Sequence, residues 1–226
     1  KNHLLVGSLN SVDAYLYVKK GQTGWSDSPT YVLNSGNDFD GNYGVAVAVF
    51  SAGEGAGLTG SVHAVIGTNR NRVYIHQTDP LGRWISFEPQ ILHRNEVGAY
   101  GTGPSFFGTS IATSSQSVLV GAYGAHKAFL YERFGRSWSN VPTIEFDQNT
   151  GDAFFGHVVA MTEDTIAIGA LYADKVFIFG RTDDNGWSKV ARTILSVVAG
   201  VGCLESSMSM TYSHLFVGVP GRQKVY

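Results

Sequence analysis

Two acidic loops carry the oxygen atoms that a calcium ion or a carboxylate catalyst would need. The first has oxygen donors at alternating positions, Asp38, Asp40 and Asn42, as in the first half of a calcium-binding loop. The second contains Asp147 and Asp152. Asp and Asn also cap polar turns, and that role explains the first loop without a metal ion. These four aspartates are the candidate metal ligands, and no cofactor is expected.

The other reactive residue types do not form a recognisable catalytic pattern. The seven histidines lack the paired spacing of metal sites, and His157 is most simply a structural histidine. The single cysteine, Cys203, lies in an apolar context typical of an inert core thiol. The sequence contains neither the Gly-x-Ser-x-Gly turn of serine hydrolases nor a phosphate-binding glycine loop. No catalytic residue is therefore assigned from the sequence.

The composition narrows the classes of protein that this chain can represent. Its 226 residues include 16 basic and 18 acidic side chains, giving a net charge of -2, which does not favour a nucleic-acid partner. The apolar runs are shorter than the roughly 20 residues of a membrane helix, so no membrane span is expected. Glycine is abundant at 28 residues, aromatic residues make up 12% and charged residues only 15%. This balance favours strands and turns, and predicts an all-β protein.

An internal repeat with a period of 48 to 60 residues is the main signal in the chain. In each copy an apolar strand ends in glycine, and an aromatic strand follows it. All four tryptophans stand 17 or 18 residues after the glycine of their repeat, where they are expected to be buried. The repeat glycines are Gly7, Gly67, Gly121, Gly169 and Gly218.

In the three middle repeats a further strand precedes the glycine-ending strand and opens with an aromatic-glycine pair, whereas the last repeat has Leu204-Glu205 at that position. The pairs are Tyr43-Gly44, Phe107-Gly108 and Phe155-Gly156. Each full unit therefore has four short antiparallel strands, A to D, which predicts the blades of a β-propeller, four to five of them in this chain. The first repeat lacks strand A and the last lacks strand D. We therefore expect residues 1–226 to be a single propeller segment of a longer chain.

Two repeats resemble the FG-GAP repeat of integrin α-subunit-like propellers. The similar residues are Phe107–Ala112, Val118–Tyr123 and Ala128–Tyr131 in one repeat, and Phe155–Ala160 in the next. The resemblance implies a ring of about seven blades, an extracellular or cell-surface location and roles such as cell adhesion. Calcium-binding members have an Asp-rich loop between strands A and B. The loops here lack that pattern, so calcium is not expected in them.

Basic residues recur on the loops between strands B and C, which gather on one face of a propeller. They could form a cationic rim for an anionic glycan or an acidic protein, although a solvated rim without a partner is the simpler explanation. The rim residues are Arg70, Arg72, His126, Lys127, Lys175, Arg222 and Lys224.

Two functions from different classes fit this sequence. The leading interpretation is a non-enzymatic extracellular module whose loops bind protein or glycan, or whose blades pack into a surface assembly. The alternative is a carbohydrate-active enzyme with its site in the central channel. That alternative requires carboxylates at the channel, and strand A contains none before Glu205.

Overall fold

The computed structural model describes residues 2–8, 10–21, 24–36, 42–52, 60–79, 81–94, 104–148, 154–196, 207–219 and 224–225. Within these residues the chain is nearly all β, with 3-10 turns at Tyr123–Ala125 and Leu171–Ala173. The strands are β1 (His3–Val6), β2 (Asp13–Val18), β3 (Tyr31–Asn34), β4 (Ala46–Ser51), β5 (Val62–Gly67), β6 (Arg72–Thr78), β7 (Trp84–His93), β8 (Phe107–Thr113), β9 (Ser117–Ala122), β10 (Lys127–Phe134), β11 (Ser137–Trp138), β12 (Ile144–Asp147), β13 (Phe155–Met161), β14 (Thr165–Ala170), β15 (Lys175–Gly180), β16 (Thr193–Ser196), β17 (Ser207–Met210), β18 (Leu215–Val219) and β19 (Lys224–Val225).

The strands form five antiparallel sheets in chain order, which confirms the predicted all-β propeller of four-stranded blades. The sheets are β1 to β3, β4 to β7, β8 to β12, β13 to β16, and β17 to β19. The first lacks the innermost strand A and the last lacks the outer strand D, as the repeat pattern predicts. Strand β8 contacts the first strand of both neighbouring blades, β4 and β13. The A strands therefore line the centre of the array.

Neighbouring blades meet at pairs of glycines. A Cβ atom on Gly67 would overlap the carbonyl oxygen of Gly108 in the next blade, and a Cβ on Gly121 would overlap that of Gly156. Gly108 and Gly156 have φ angles of +99° and +87°, which side chains other than glycine rarely adopt. Both halves of the contact therefore need glycine. This explains why one glycine ends strand B in each repeat and another follows the aromatic residue of strand A.

Apolar side chains fill the space between consecutive blades. The described residues form one buried cluster at each of the four boundaries between blades. At the second boundary, Val65 and Leu92 pack with Phe107, Phe129 and Trp138 of the next blade. The aromatic residue of each aromatic-glycine pair is completely buried. It contacts an aromatic residue of strand C in its own blade, as in the pairs Tyr43–Tyr74, Phe107–Phe129 and Phe155–Phe177.

The tryptophans pack against the blade that precedes their own. Trp138 contacts Phe50 at a ring separation of 6.0 Å, and Trp84 contacts His3 at 6.1 Å. Trp84, Trp138 and Trp187 are buried as predicted, but the prediction is wrong for Trp25, which is 46% exposed. The described residues include no blade on the side of the first sheet that Trp25 would cover. The position of a tryptophan in the repeat therefore buries it only where a preceding blade is present.

The glycine contact leads to a first prediction. Replacing Gly121 with Ala should cost about 3 kcal/mol or more of unfolding free energy, because the added methyl group meets backbone that cannot move aside. Gly60→Ala is the matched control, since a Cβ there would lie 3.4 Å from its nearest neighbour, in ordinary contact. Urea unfolding would measure both. Equal losses in the two variants would contradict the proposed role of the contact.

Trp138 and Trp25 provide a second, paired prediction. Trp138→Ala should cost roughly 3–5 kcal/mol because it opens a cavity between two blades. Trp25→Ala should cost less than about 1 kcal/mol, because nearly half of its surface is already in water. Thermal and urea unfolding of the two variants would test this. A loss for Trp138→Ala as small as that for Trp25→Ala would show that the inter-blade packing is wrongly assigned.

Candidate functional site

A cavity of about 430 Å³ opens where the A strands end and turn into the B strands. Every blade contributes to its wall. The first blade supplies the start of β1, and the other four supply the ends of their A strands or the turns that follow. The lining residues include Asn2 and His3, Val49–Ser51, Thr113–Ser115, Thr162–Glu163 and Met210–Tyr212. The cavity is therefore one mouth of the central channel, formed jointly by all five repeats.

The turns between strands A and B have a common structure in blades three, four and five. Each begins with a hydroxyl residue, Ser114, Thr162 or Thr211, whose backbone N–H donates to the carbonyl oxygen of the residue three positions later. The hydroxyl oxygen of the same residue accepts a hydrogen bond from the backbone N–H two positions later, at 3.4 Å in all three turns. A Ser or Thr here closes the turn locally. The first position of each turn is therefore used for folding.

The second position of each turn also lines the cavity, but it differs from blade to blade. It is Ser115 in the third blade, Glu163 in the fourth and Tyr212 in the fifth. The constant first position holds the turn, and the variable second position places different chemistry on the cavity wall. Glu163 is the one carboxylate among the described residues that line the cavity.

Glu163 is held by one hydrogen bond from the neighbouring blade and one from its own blade. The backbone N–H of Ser115 donates to Oε1 of Glu163 at 2.7 Å, and Nε of Arg181 donates to the Glu163 carbonyl oxygen at 3.2 Å. A carboxylate has several lone pairs, so one backbone donor leaves it able to accept further bonds from water or a ligand hydroxyl. The half-buried Glu163 is thus a fixed acceptor or base in a cavity whose other lining groups are hydroxyl, imidazole, amide, aromatic and aliphatic.

A buried polar cluster lies behind the cavity wall. Phe50, which lines the cavity, stacks on His63 at a ring separation of 5.0 Å. Nε2 of His63 lies 2.8 Å from the Ser61 hydroxyl, and Nη1 of Arg133 donates to the same hydroxyl at 3.2 Å. Burial, together with the nearby Arg133 and Arg136, lowers the pKa of His63 to about 3. His63 is therefore neutral near pH 7 and serves the packing of two blades.

The predicted basic rim is placed as follows. Arg70 and Lys175 are exposed on the B-to-C turns, and Nζ of Lys127 forms an ion pair with Oε1 of Glu145 at 2.6 Å. His126 is half-buried, and its ring meets that of Phe154 at 5.7 Å. Arg72 is also half-buried, Arg222 lies outside the described residues, and only the backbone of Lys224 is described. Partner binding by this rim stays a prediction.

The acidic candidates do not come together in the described part of the chain. Asp38, Asp40 and Asp152 lie outside the described residues, and Asp147 is an exposed residue at the end of β12. Among residues that the structure describes, no group of three His, Cys, Asp or Glu side chains is placed to hold a metal ion. Cys203 and Glu205 also lie outside the described residues.

Sequence reasoning missed the cavity residues. The three turns were considered only as possible calcium loops, and Glu163 was assigned no role. The three turns can be aligned on their first residues, Ser114, Thr162 and Thr211. The residue that follows each of these is the variable position. A signal was therefore present, but its meaning depends on knowing that these turns meet at one channel mouth.

The fold and cavity define a β-propeller with a hydroxyl-rich channel mouth that contains a carboxylate. Among solved structures, a protein from Lactobacillus plantarum is similar over 100% of this chain and 66% of its own, with 9% identity and a TM-score of 0.55. A candidate 6-phosphogluconolactonase from Bacteroides uniformis is similar over 89% of this chain and 57% of its own, with 17% identity and a TM-score of 0.50. A periplasmic gluconolactonase from Pseudomonas aeruginosa shows 12% identity and a TM-score of 0.48, over 99% of this chain and 80% of its own. No family model and no curated protein matches the sequence.

These similarities correct the leading functional interpretation of the sequence. The prediction of a non-enzymatic interaction module is wrong, because the similar Bacteroides uniformis structure is named as a candidate 6-phosphogluconolactonase, which fits the enzyme alternative better. The enzyme alternative is the better interpretation. This chain spans 66% of the Lactobacillus plantarum protein and 57% of the Bacteroides uniformis protein, and at these identities the likeness establishes the fold alone. No helix in the described ranges is long and apolar enough to cross a membrane.

The lowered pKa of His63 leads to a prediction about pH. In the unfolded chain a histidine takes up a proton near pH 6.5, whereas folded His63 does so only near pH 3. The unfolded state therefore binds more protons between these values, and stability is lost as the pH falls through this window. From pH 7 to pH 5 the contribution of His63 should fall by about 2 kcal/mol.

Urea unfolding at pH 7 and pH 5 would measure this loss. Replacing His63 with Asn should reduce the measured loss by about 2 kcal/mol, while buried His76, whose pKa burial lowers to about 4, continues to contribute over the same window. A variant of the exposed His214 serves as the control. An identical pH dependence in the His63→Asn variant and the wild-type chain would contradict the assignment.

Proposed function

We propose that the chain is part of a carbohydrate-active propeller enzyme that hydrolyses an ester or lactone bond of a sugar in the channel-mouth cavity. The observation that carries the proposal is Glu163, a carboxylate fixed by the Ser115 N–H at 2.7 Å within a cavity lined mainly by hydroxyl groups. Hydroxyl and aromatic side chains suit a sugar, because they match its hydroxyl groups and its C–H faces. The name of the Bacteroides uniformis protein supports the choice of a sugar lactone as substrate.

Glu163 would act as a general base in this reaction. Its carboxylate takes a proton from a water molecule as the water oxygen adds to the carbonyl carbon of the ester or lactone. The C–O bond to the leaving alkoxide then breaks, and the proton passes to that alkoxide, giving a sugar acid and a free hydroxyl group. Ser115, Thr162 and Thr113 lie on the same wall and would bind the hydroxyl groups of the sugar.

The aromatic residue at the fifth blade would complete the site. Tyr212 lines the cavity and is 79% exposed, so its ring is available to cover the face of a bound sugar. Tyr212 occupies the same turn position as Ser115 and Glu163 in the other two blades. The three turns therefore place a base (Glu163), a small hydrogen-bond donor (Ser115) and an aromatic surface (Tyr212) around one opening. This division of roles is typical of small-molecule sites, where a few polar groups orient a ligand against an apolar surface.

The broader predictions from the FG-GAP resemblance remain proposals. They are membership of that family, a ring of about seven blades, an extracellular or cell-surface location and participation in a larger assembly. The similar proteins carry no FG-GAP or integrin name. A carbohydrate-active enzyme acting outside the cell is compatible with all four.

Hydrolysis of glucono-δ-lactone and of its 6-phosphate tests the proposed function. The purified chain should increase acid release above the spontaneous rate at neutral pH, and Glu163→Gln should lower kcat/KM by about 100-fold or more. Asp164→Asn is the matched control, because this exposed carboxylate lies in the same turn but does not line the cavity. Hydrolysis at the spontaneous rate with both lactones, or equal rates for the Glu163→Gln variant and the wild type, would refute the proposal.

A further inference from the structure

A continuous row of aromatic rings crosses the opposite face of the propeller, where the A strands begin. Its members come alternately from the segment before strand A and from the turn after strand B, first in the third blade and then in the fourth. Successive ring centroids are 4.7, 5.5 and 4.7 Å apart. The rings of this aromatic ladder belong to Phe106, Tyr123, Phe154 and Tyr172.

Two members of the ladder have a backbone conformation that is unfavourable for their residue type. Phe106 and Phe154 have φ angles of +55° and +46°, in the left-handed region that bulky side chains rarely occupy. Asn42 holds the same position in the second blade, with φ at +64°, and Asn tolerates this region well. All three residues accept a hydrogen bond from the backbone N–H three residues later, so the turn is the same.

The comparison with Asn42 shows that folding does not require phenylalanine at this position. The Asn42 side chain accepts a hydrogen bond from the backbone N–H of Asn10 in the preceding blade, at 2.9 Å, and thereby joins two blades. In the next two blades that polar link is replaced by an aromatic ring in a strained conformation. Strain of this kind is concentrated at functional sites, where the side chain must be presented in a particular direction.

The ladder is open to solvent and is bordered by polar ring edges. Phe106, Tyr123 and Phe154 are half-buried, and Tyr172 is 55% exposed. The imidazole rings of His157 and His126 approach Tyr123 and Phe154 at 5.2 and 5.7 Å. The ladder thus presents partly exposed ring surface, most of it on Tyr172, with phenol and imidazole groups beside it.

Charge around the ladder decides between classes of ligand. On the ladder's own turns, Lys127 is paired with Glu145 and Lys175 directly follows Asp174. Arg94 also approaches Glu145 at 3.8 Å, and Arg70 is exposed on the preceding B-to-C turn, so the cations stand on separate turns. A strand of nucleic acid stacks on aromatic side chains but also needs a positively charged groove for its phosphates. A neutral sugar chain needs only flat apolar faces for its C–H groups and polar groups for its hydroxyls.

We propose that the aromatic ladder is a platform that binds a neutral saccharide chain and attaches the enzyme to a carbohydrate polymer. The class of ligand rests on the proposed function, but the platform is a second site at the other end of the A strands from the Glu163 cavity. The ladder would contribute binding, and the cavity would contribute catalysis.

Affinity gel electrophoresis with hydroxyethyl cellulose, arabinoxylan and galactomannan tests the platform. At least one of these polymers should retard the wild-type chain, and Phe106→Asn and Phe154→Asn should each weaken the retardation by about tenfold or more. Both variants should keep or raise the Tm, because Asn relieves the strain at these φ angles. Phe134→Ser is the matched control, since Phe134 is 72% exposed but lies outside the ladder, and it should bind as the wild type does.

The same variants separate this proposal from the proposed function. Glu163→Gln should still be retarded by the polymer, and the two ladder variants should still hydrolyse the small lactones. Retardation without lactone hydrolysis would refute only the catalytic proposal. The platform is overturned if none of the three neutral polymers retards the chain, or if the ladder variants bind as the wild type does. It is also overturned if only polygalacturonate or single-stranded DNA is bound, or if the variants abolish self-association in sedimentation instead.

Discussion

The close contact between two glycine backbones at the first three blade boundaries is the constraint on which the rest of this structure depends. Gly67 against Gly108, and Gly121 against Gly156, leave no room for a Cβ atom on either side. Since the backbones touch, the aromatic residue just before the second glycine is completely buried and anchors strand A. Consecutive A strands are thereby brought side by side at the centre. The contact thus determines both the spacing of the blades and the convergence that creates a channel.

The same convergence gives the molecule two distinct surfaces, one at each end of the A strands. Where these strands begin, the residues before the aromatic-glycine pairs bring the rings of Phe106 and Phe154 into one ladder with those of the B-to-C turns. Where the strands end, the A-to-B turns place Ser115, Glu163 and Tyr212 around one cavity. One surface is aromatic, and the other is rich in hydroxyl groups and carries a carboxylate. Their chemistry suits them to different parts of the same task.

The fold was predictable from the sequence because its determinants are local and recur in every repeat. A glycine at the end of strand B and a tryptophan 17 or 18 residues later can be recognised without knowing what they touch. Trp25 shows the limit of this reasoning, since its place in the repeat matches that of Trp138 but its burial depends on a neighbouring blade. The site was harder to predict for a related reason. The Glu163 carboxylate is positioned by the backbone N–H of Ser115, which lies 48 residues earlier in the chain. A single carboxylate in a turn gives no periodic signal in the sequence.

The division of each A-to-B turn into a constant first position and a variable second position has a consequence for how such proteins diversify. Ser114, Thr162 and Thr211 close their turns through local hydrogen bonds, and these turns lie away from the glycine contacts between blades. When a blade is duplicated, its copy therefore inherits a closed turn together with one residue that lines the channel and does not close the turn. Substitutions at that residue can change ligand preference while the turn stays closed. Specificity and foldability are thus inherited separately, and gene duplication supplies new combinations of the two.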